Sequence, residues 1–473
     1  MTDLLESVGS LASSSVNVSI VTISDIQGAG HVSPLVGERV QTEGMVTAVD
    51  FRGFYVQGTD DGNDATSEGL FISTSDSPTV NVGDEVRLLG EVNEFIPGGA
   101  DTGNLSTTQM RNPDVVVLSS ENALPVATVI GTSGRTAPPE TVISGDELPV
   151  NLQDTAGNFD PEEDAIDFYE SLEGMRVTVE DAVAVSPTRV FDSFSAEAFT
   201  LPNQGAGATP EDVLTERGSI NLDSGPDNTG DQNPERVQIQ FNPNLMPEGF
   251  DTPALTVGDQ LGDVTGVVGY SFGNFEVNVT DEFEVTPSGL EQEVTDLVGG
   301  DSELTVASYN VLNLSADGTD VEQFALLAEQ ITNNLGRPDI VALQEIQDDS
   351  GTTDDGTVDA IATLQALVDA IAAAGGPTYK FFDVAPEDNT QGGVPGGNIR
   401  NAYLYNPERV ELDSFTAIDQ DTAFDGTRNP LVANFSLLAL KNLEIVIRSR
   451  VSVVIKSCRI ARKCPIYFQK LAK

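Results

Sequence analysis

Asn310 and Glu345 are the residues whose types and positions first suggest chemistry. Asn310 ends the run ELTVASYN, and Glu345 stands near the end of DIVALQEI, preceded by Gln344. Both runs have the apolar, β-branched character of buried strands. A carboxylate and an amide at strand ends offer hard oxygen donors. Mg²⁺ takes few such donors from a protein, and waters and a substrate phosphate fill its other positions. A cation held in that way polarises a phosphodiester and offsets charge in the transition state. The same positions equally suit ordinary residues where a strand meets solvent.

The elements that must position these residues follow from periodicity. From about residue 304 the pattern alternates. ELTVASYNVL reads as a strand, DVEQFALLAEQITNNL as a helix and DIVALQEI as a strand. TVDAIATLQALVDAIAAAG reads as a helix ended by Gly375, Gly376 and Pro377. TYKFFDV, NIRNAYLYN and RNPLVANFSL follow as strands, so residues 304–436 predict an α/β layered domain. Upstream, residues 18–125 alternate short β-patterned runs with Gly/Asp turns, the pattern of a small closed barrel. Residues 126–290 repeat that theme, LEGMRVTVEDAVAV echoing VGERVQTEGMVTAV, with acidic insertions such as NLQDTAGNFDPEEDAIDFYE. Residues 1–17 form an N-terminal segment, 291–303 a linker and 437–473 a tail.

Composition narrows the classes of function. The chain has 473 residues, 39% hydrophobic and 6% aromatic, with no Trp and a net charge of −52. No apolar run reaches the ~18 residues of a membrane-spanning helix. The start, MTDLLESVGSLASSSV, lacks the basic and apolar regions of a signal peptide. Residues 1–440 carry 14 basic against 74 acidic side chains, and Lys380 is their single lysine. Such a surface stays hydrated in strong salt, which screens its self-repulsion, so it reads as salt adaptation. An acidic, calcium-rich extracellular protein is the alternative. Residues 441–473 reverse the balance, with nine basic side chains and one acid, Glu444. This tail reads as a shifted reading frame or a fused fragment, the alternative being a nucleic-acid or membrane-surface segment. Both cysteines, Cys458 and Cys464, lie in it, which removes disulfides, zinc fingers and cysteine nucleophiles from the main body. The stretch TDDGNDATSEG (59–69) suits Ca²⁺ or a solvated acidic loop, without the EF-hand spacing.

The wording of the third region is more specific than its spacing. VASYNVLNL, PDIVALQEIQDD, GGNIRNAYLYNPERV and TRNPLVANF together resemble the endonuclease/exonuclease/phosphatase superfamily, with its deoxyribonuclease-I-like fold. IQGAGHVSPLVGERVQTEGMVTAV, GFYVQ, TSEGLFI, EDAIDFYESLEGMRVTVEDAVAV and GVVGYSFGNFEV resemble the OB-like domains found ahead of that catalytic domain in secreted nucleases. The resemblance spans about residues 22–436. It implies two OB-like β-barrel domains followed by the first half of an α/β four-layer sandwich. It implies a Mg²⁺- or Mn²⁺-dependent enzyme that hydrolyses extracellular DNA at the cell surface or beyond. Asn310 would position the scissile phosphate and the metal, and Glu345 would ligate the metal. Arg428 would lie near the DNA backbone. Arg400 would contact phosphate or form a structural ion pair.

The family mechanism also requires a histidine that activates water and an Asp-x-Asn pair. This sequence has one histidine, His31, in the first barrel, where a turn or surface position is expected. The expectation is therefore a metal-binding entrance without a general base, in a truncated and inactive copy. Two alternatives stand beside it. One is a ligand- or calcium-binding module with a catalytic remnant. The other is a phosphoesterase acting on something other than nucleic acid. Residues 1–150 hold five arginines and no lysine, so direct nucleic-acid binding by the first barrel would be weak.

Overall fold

The computed structural model describes residues 20–143, 159–191, 195–208, 213–221, 232–318, 321–391, 395–418, 427–440 and 450–455. The N-terminal segment, part of the acidic insertions, both cysteines and most of the tail lie outside these residues. The chain divides into two compact units, Met1–Leu290 and Glu291–Lys473.

In the first unit, helix α1 (Ile23–Gln27) begins with a capping box in which Thr22 and Asp25 exchange side-chain-to-backbone hydrogen bonds. Five strands then close into a barrel. They are β1 (Arg39–Asp50), β2 (Gly53–Gln57), β3 (Gly69–Ser73), β4 (Glu85–Phe95) and β5 (Thr107–Ser119), in the order β1-β2-β3-β5-β4. Alternate residues of β1, β2 and β4 point inward, and Val46, Phe54, Val56, Val86 and Leu88 fill the interior. The second region is a seven-stranded sheet. Its strands are β6 (Thr128–Ile130), β7 (Arg176–Ala184), β8 (Arg189–Phe191), β9 (Ser195–Leu201), β10 (Val237–Phe241), β11 (Gln260–Ser271) and β12 (Asn274–Val279). The order is β6-β7-β11-β12-β10-β9-β8, with a further pairing of β7 to β9. Helix α2 (Ala165–Glu170) precedes β7 and packs Phe168 and Tyr169 into this sheet's core.

In the second unit, β13 (Val306–Leu314) and β14 (Ile340–Ile346) pair in parallel. Strands β15 (Lys380–Asp383) and β16 (Arg400–Tyr405) complete the order β13-β14-β16-β15. Helices α3 (Val321–Glu329), continued by a π-helical turn at Gln330–Asn334, and α4 (Ile361–Ala373) cover one face. Leu327, Ile331, Leu364 and Ile371 there meet Ala307, Val341 and Leu343 of the sheet. The other face, through Ala342, Phe382 and Tyr403, meets a second sheet of β17 (Val410–Ala417), β18 (Leu431–Leu437) and β19 (Arg450–Ile455).

The expected architecture, two OB-like barrels followed by half of an α/β four-layer sandwich, does not hold. The chain is mostly β-sheet with few helices. The second region has seven strands in one sheet, with edge strands β6 and β8 added, and not a repeat of the five-stranded barrel. In the second unit, strands outnumber α-helices by seven to two among the described residues. The physical reason is that a 3.6-residue apolar period occurs only twice in this region. After α4 the chain reads almost entirely as strands.

Candidate functional site

Strands β13 and β14 run in register from Val306 opposite Ile340 to Asn310 opposite Gln344. There the ladder breaks, and the next pair is Leu314 with Ile346. The extra residues take left-handed backbone. Leu312 has φ +52° and Asn313 has φ +54° in β13, and Glu345 has φ +65° in β14. The pairing of β14 with β16 breaks at the same place, between Leu343 and Ile346. Side chains with a Cβ avoid this conformation, at a cost of about 1–3 kcal/mol each, and such residues cluster at functional sites. The bulges take Glu345 out of the strict alternation of its strand. Gln323 of α3 secures the β13 bulge by donating its side-chain amide to the carbonyls of Val311 and Leu312.

The structure brings Glu345 and Arg428 together. Arg428 Nη1 lies 3.3 Å from Glu345 Oε1, and both side chains are largely buried. Arg428 Nε is buried with no hydrogen-bond partner among the described residues. The segment carrying Arg428 is held beside β16, where Asn401 donates to Asn429 O and Gln391 Oε1 accepts from Asn429 N. Asn310 is exposed, and its Oδ1 accepts from Leu312 N at 2.9 Å. Arg400 takes the structural role. It is 3% exposed, with Nη1 3.0 Å from Asp383 Oδ2, and its Nε and Nη2 donate to Asn398 O.

Two further acids of QEIQDD shape the site. Asp348 is fully buried, accepting from Asn398 Nδ2 and from both the backbone and hydroxyl of Ser350. Asp349 accepts from Thr363 N in the first turn of α4, whose own N-cap, Ala360, has no side chain to offer. The helix is thereby tied to the loop that leaves Glu345. Adjacent acids in sequence gave no sign of which would be buried, because their partners lie 14 and 50 residues away.

The Glu345 carboxylate and the Asn310 amide oxygen are donor types that suit Mg²⁺ or Mn²⁺, and in this structure they face Arg428 Nη1 and Leu312 N. Among the described residues, three acids with ligand atoms within 4.8 Å of one another occur only at Asp60, Asp61 and Glu68, in the β2–β3 loop. Burial, together with the charges of Asp61 and Asp60, pushes the Glu68 carboxyl up to about 7.

His31 lies in a bend of the loop after α1 and not at the surface. Its ring is buried, with Nε2 2.6 Å from Asp167 Oδ1 and Nδ1 3.2 Å from Glu170 Oε2. Burial alone would lower its pKa, but the hydrogen bonds to Asp167 and Glu170 and their charges push it up to about 10. Both ring nitrogens are therefore engaged, and the protonated ring pins the loop after α1 to helix α2.

Residues 129–288 match a family described as a domain of unknown function (DUF8508). No curated protein matches the chain. Among solved structures it is similar to D. rerio TDP2 complexed with a single-strand DNA product, at 20% identity and TM-score 0.21. That match covers 33% of this chain and 48% of the other. It is similar to the human Nocturnin catalytic domain with bound sulfate, at 14% identity and TM-score 0.21, over 33% of this chain and 51% of that one. It is also similar to ANGEL2, a 2′,3′-cyclic phosphatase, at 17% identity and TM-score 0.19, over 28% and 37% of the two chains. This chain spans about half the length of the TDP2 and Nocturnin structures.

Proposed function

We propose that residues 304–436 form the metal-binding part of a metal-dependent phosphodiesterase that acts on DNA, in a protein that works at or beyond the cell surface. Glu345 ligates the cation, Asn310 positions the scissile phosphate and Arg428 contacts the backbone. The observation that supports this most is the left-handed Glu345, set by bulges in β13 and β14 beside a guanidinium with one donor unused. A fixed, partly buried carboxylate of this kind suits a hard divalent cation. An incoming phosphate oxygen would satisfy Arg428 Nε, which is otherwise buried without a partner. The cation, when bound, polarises the phosphodiester and offsets developing charge.

Water activation is a separate requirement. The 473 residues contain one imidazole, and both its nitrogens are held by carboxylates. This chain therefore binds cation and phosphodiester without a histidine base to activate water. Calorimetric titration with Mn²⁺ and a cleavage assay on duplex DNA test the two statements separately. Glu345→Gln is expected to weaken Mn²⁺ binding at least about tenfold, the usual scale for loss of a metal ligand or its support. Unchanged Mn²⁺ affinity in that variant overturns the site. Mn²⁺-dependent cleavage by the chain overturns its inactivity and leaves the site standing.

A further inference from the structure

The first unit has an open cavity of about 510 Å³ where the barrel meets the sheet. That is within the ~300–1,000 Å³ usual for small-molecule sites. Hydrogen bonds between side chains and backbone build the junction: Ser67 Oγ donates to Glu173 O, and Arg176 N to Gln57 Oε1. We propose that this cavity binds a small organic cation of the methylated-ammonium class, held by aromatic faces and by the negative potential of the carboxylates around it.

Aromatic rings are scarce in this chain, yet five line the cavity: Phe51, Tyr55, Phe71, Phe95 and Tyr270. Phe71 is fixed there because Gly53 leaves room for it. A Cβ on Gly53 would come within 2.3 Å of the Phe71 ring. Phe51 and Phe95 are more than half exposed, an unusual position for rings on so acidic a protein. The Phe51 ring already carries a cation, since the Arg52 guanidinium sits 5.5 Å from its centroid.

The charges point the same way. Asp50 and Glu173 line the cavity, and Arg52 is its one basic residue. Burial, and then the charges of Glu276, Asp50 and Glu173, push the Tyr55 hydroxyl pKa up, with no basic residue opposing them. Glu173 is 4% exposed, and its Oε2 has no hydrogen-bond partner among the described residues. Burial, and then the charges of Glu170 and Glu94, push the Glu173 carboxyl well above the usual carboxylate range, and a cation in the cavity would draw it toward its charged form. Anions and phosphates are repelled there. Na⁺ and K⁺ are strongly hydrated and gain little from ring faces. A methylated ammonium is weakly hydrated and gains from both the rings and the carboxylates.

Calorimetric titration of the full chain with tetramethylammonium chloride tests this, with KCl at equal concentration as the reference for general counterion uptake. Saturable binding beyond the KCl response is expected. Phe95→Ala should weaken it about three- to tenfold, the loss of one ring face. Arg52→Gln should tighten it by removing the competing guanidinium. Both positions are at the exposed rim, and an unchanged melting temperature confirms that the fold is intact. Choline should also bind, and its uncharged isostere 3,3-dimethylbutan-1-ol should bind at least tenfold more weakly. No saturable response beyond KCl overturns the proposal. Equal binding of the uncharged isostere, or indifference to both substitutions, does so too.

Discussion

At the scale of single residues, the buried His31 has the clearest consequence. Its carboxylate partners hold the proton up to about pH 10, whereas an unfolded histidine releases it near 6.5. Between those values the folded state binds more protons than the unfolded state, so stability falls as pH rises. The contribution is complete below about 6.5 and gone above about 10. Glu68 and Glu276 act in the same direction at lower pH, because burial raises both to about 7 from 4.5. The melting temperature of the first unit is therefore expected to decline from about pH 5 to pH 10. His31→Gln leaves Asp167 and Glu170 buried without their cation, at a cost of about 3–5 kcal/mol at pH 7. It also removes the decline between 7 and 10. A variant that melts with the wild-type pH profile would show that the ion pair carries none of it. The sequence did not reveal this arrangement, since the two partners lie 136 and 139 residues away. The strand-end positions of Glu345 and Asn310 were legible because strand ends are written locally, in the apolar runs that precede them. The left-handed backbone at Glu345 was not, because it arises from the mismatch between two strands. Arg400 could be narrowed only to two roles from sequence, and the position of Asp383 on β15 decides for the ion pair.

At the scale of elements, local period was a sound guide and long-range pairing was not. The helical stretches before and after DIVALQEI fold as α3 and α4, since a 3.6-residue apolar stripe needs only its own segment to be recognised. Whether strands close into a barrel or extend as a sheet depends on partners far along the chain, and there the expected second barrel failed. The contact between barrel and sheet has its own test. Gly69 of β3 lies so close to Gly174 that a Cβ would sit 2.1 Å from the Gly174 carbonyl carbon. Gly174 itself has φ +73°, which suits glycine. Gly69→Ala cannot be absorbed by a side-chain rotation, because the obstacle is backbone. Overpacking of this kind costs about 1–3 kcal/mol, occasionally more. The substitution should lower the melting temperature and open the junction to proteolysis. It should also abolish the binding of tetramethylammonium, whose cavity the same junction forms. A Gly69→Ala protein with wild-type melting and protease resistance would mean that barrel and sheet are not packed at this distance.

At the scale of the molecule, charge governs how the protein meets solvent, and would govern how it meets the DNA of the proposed function. The first 440 residues carry 74 acids against 14 basic side chains, a charge of −60 that the last 33 residues offset by +8 to give the net −52. With acids in such excess, most of these charges have no opposite partner, and exposed pairs such as Arg39–Asp114, Arg87–Glu43 and Arg111–Glu91 are worth little each. Self-repulsion therefore weakens the compact state, and salt relieves it. The screening length falls from about 10 Å at 0.1 M to about 3 Å at 1 M. Melting temperature should accordingly rise with KCl across that range. DNA adds a second polyanion to the same field. An ordinary DNA-binding protein releases counterions from phosphates it neutralises, so its affinity falls as salt rises. In the proposed site one guanidinium, Arg428, and a bound cation would face the phosphates. The acidic surface of the first 440 residues would repel the duplex. Association with a labelled oligonucleotide, followed by anisotropy in the presence of Mn²⁺, should strengthen between 0.1 and 1 M KCl. A steep fall with salt, of the kind given by many phosphate contacts, would mean that a basic surface and not the β13–β14 site engages the DNA. The natural place for such a surface is the lysine- and arginine-rich stretch after residue 440.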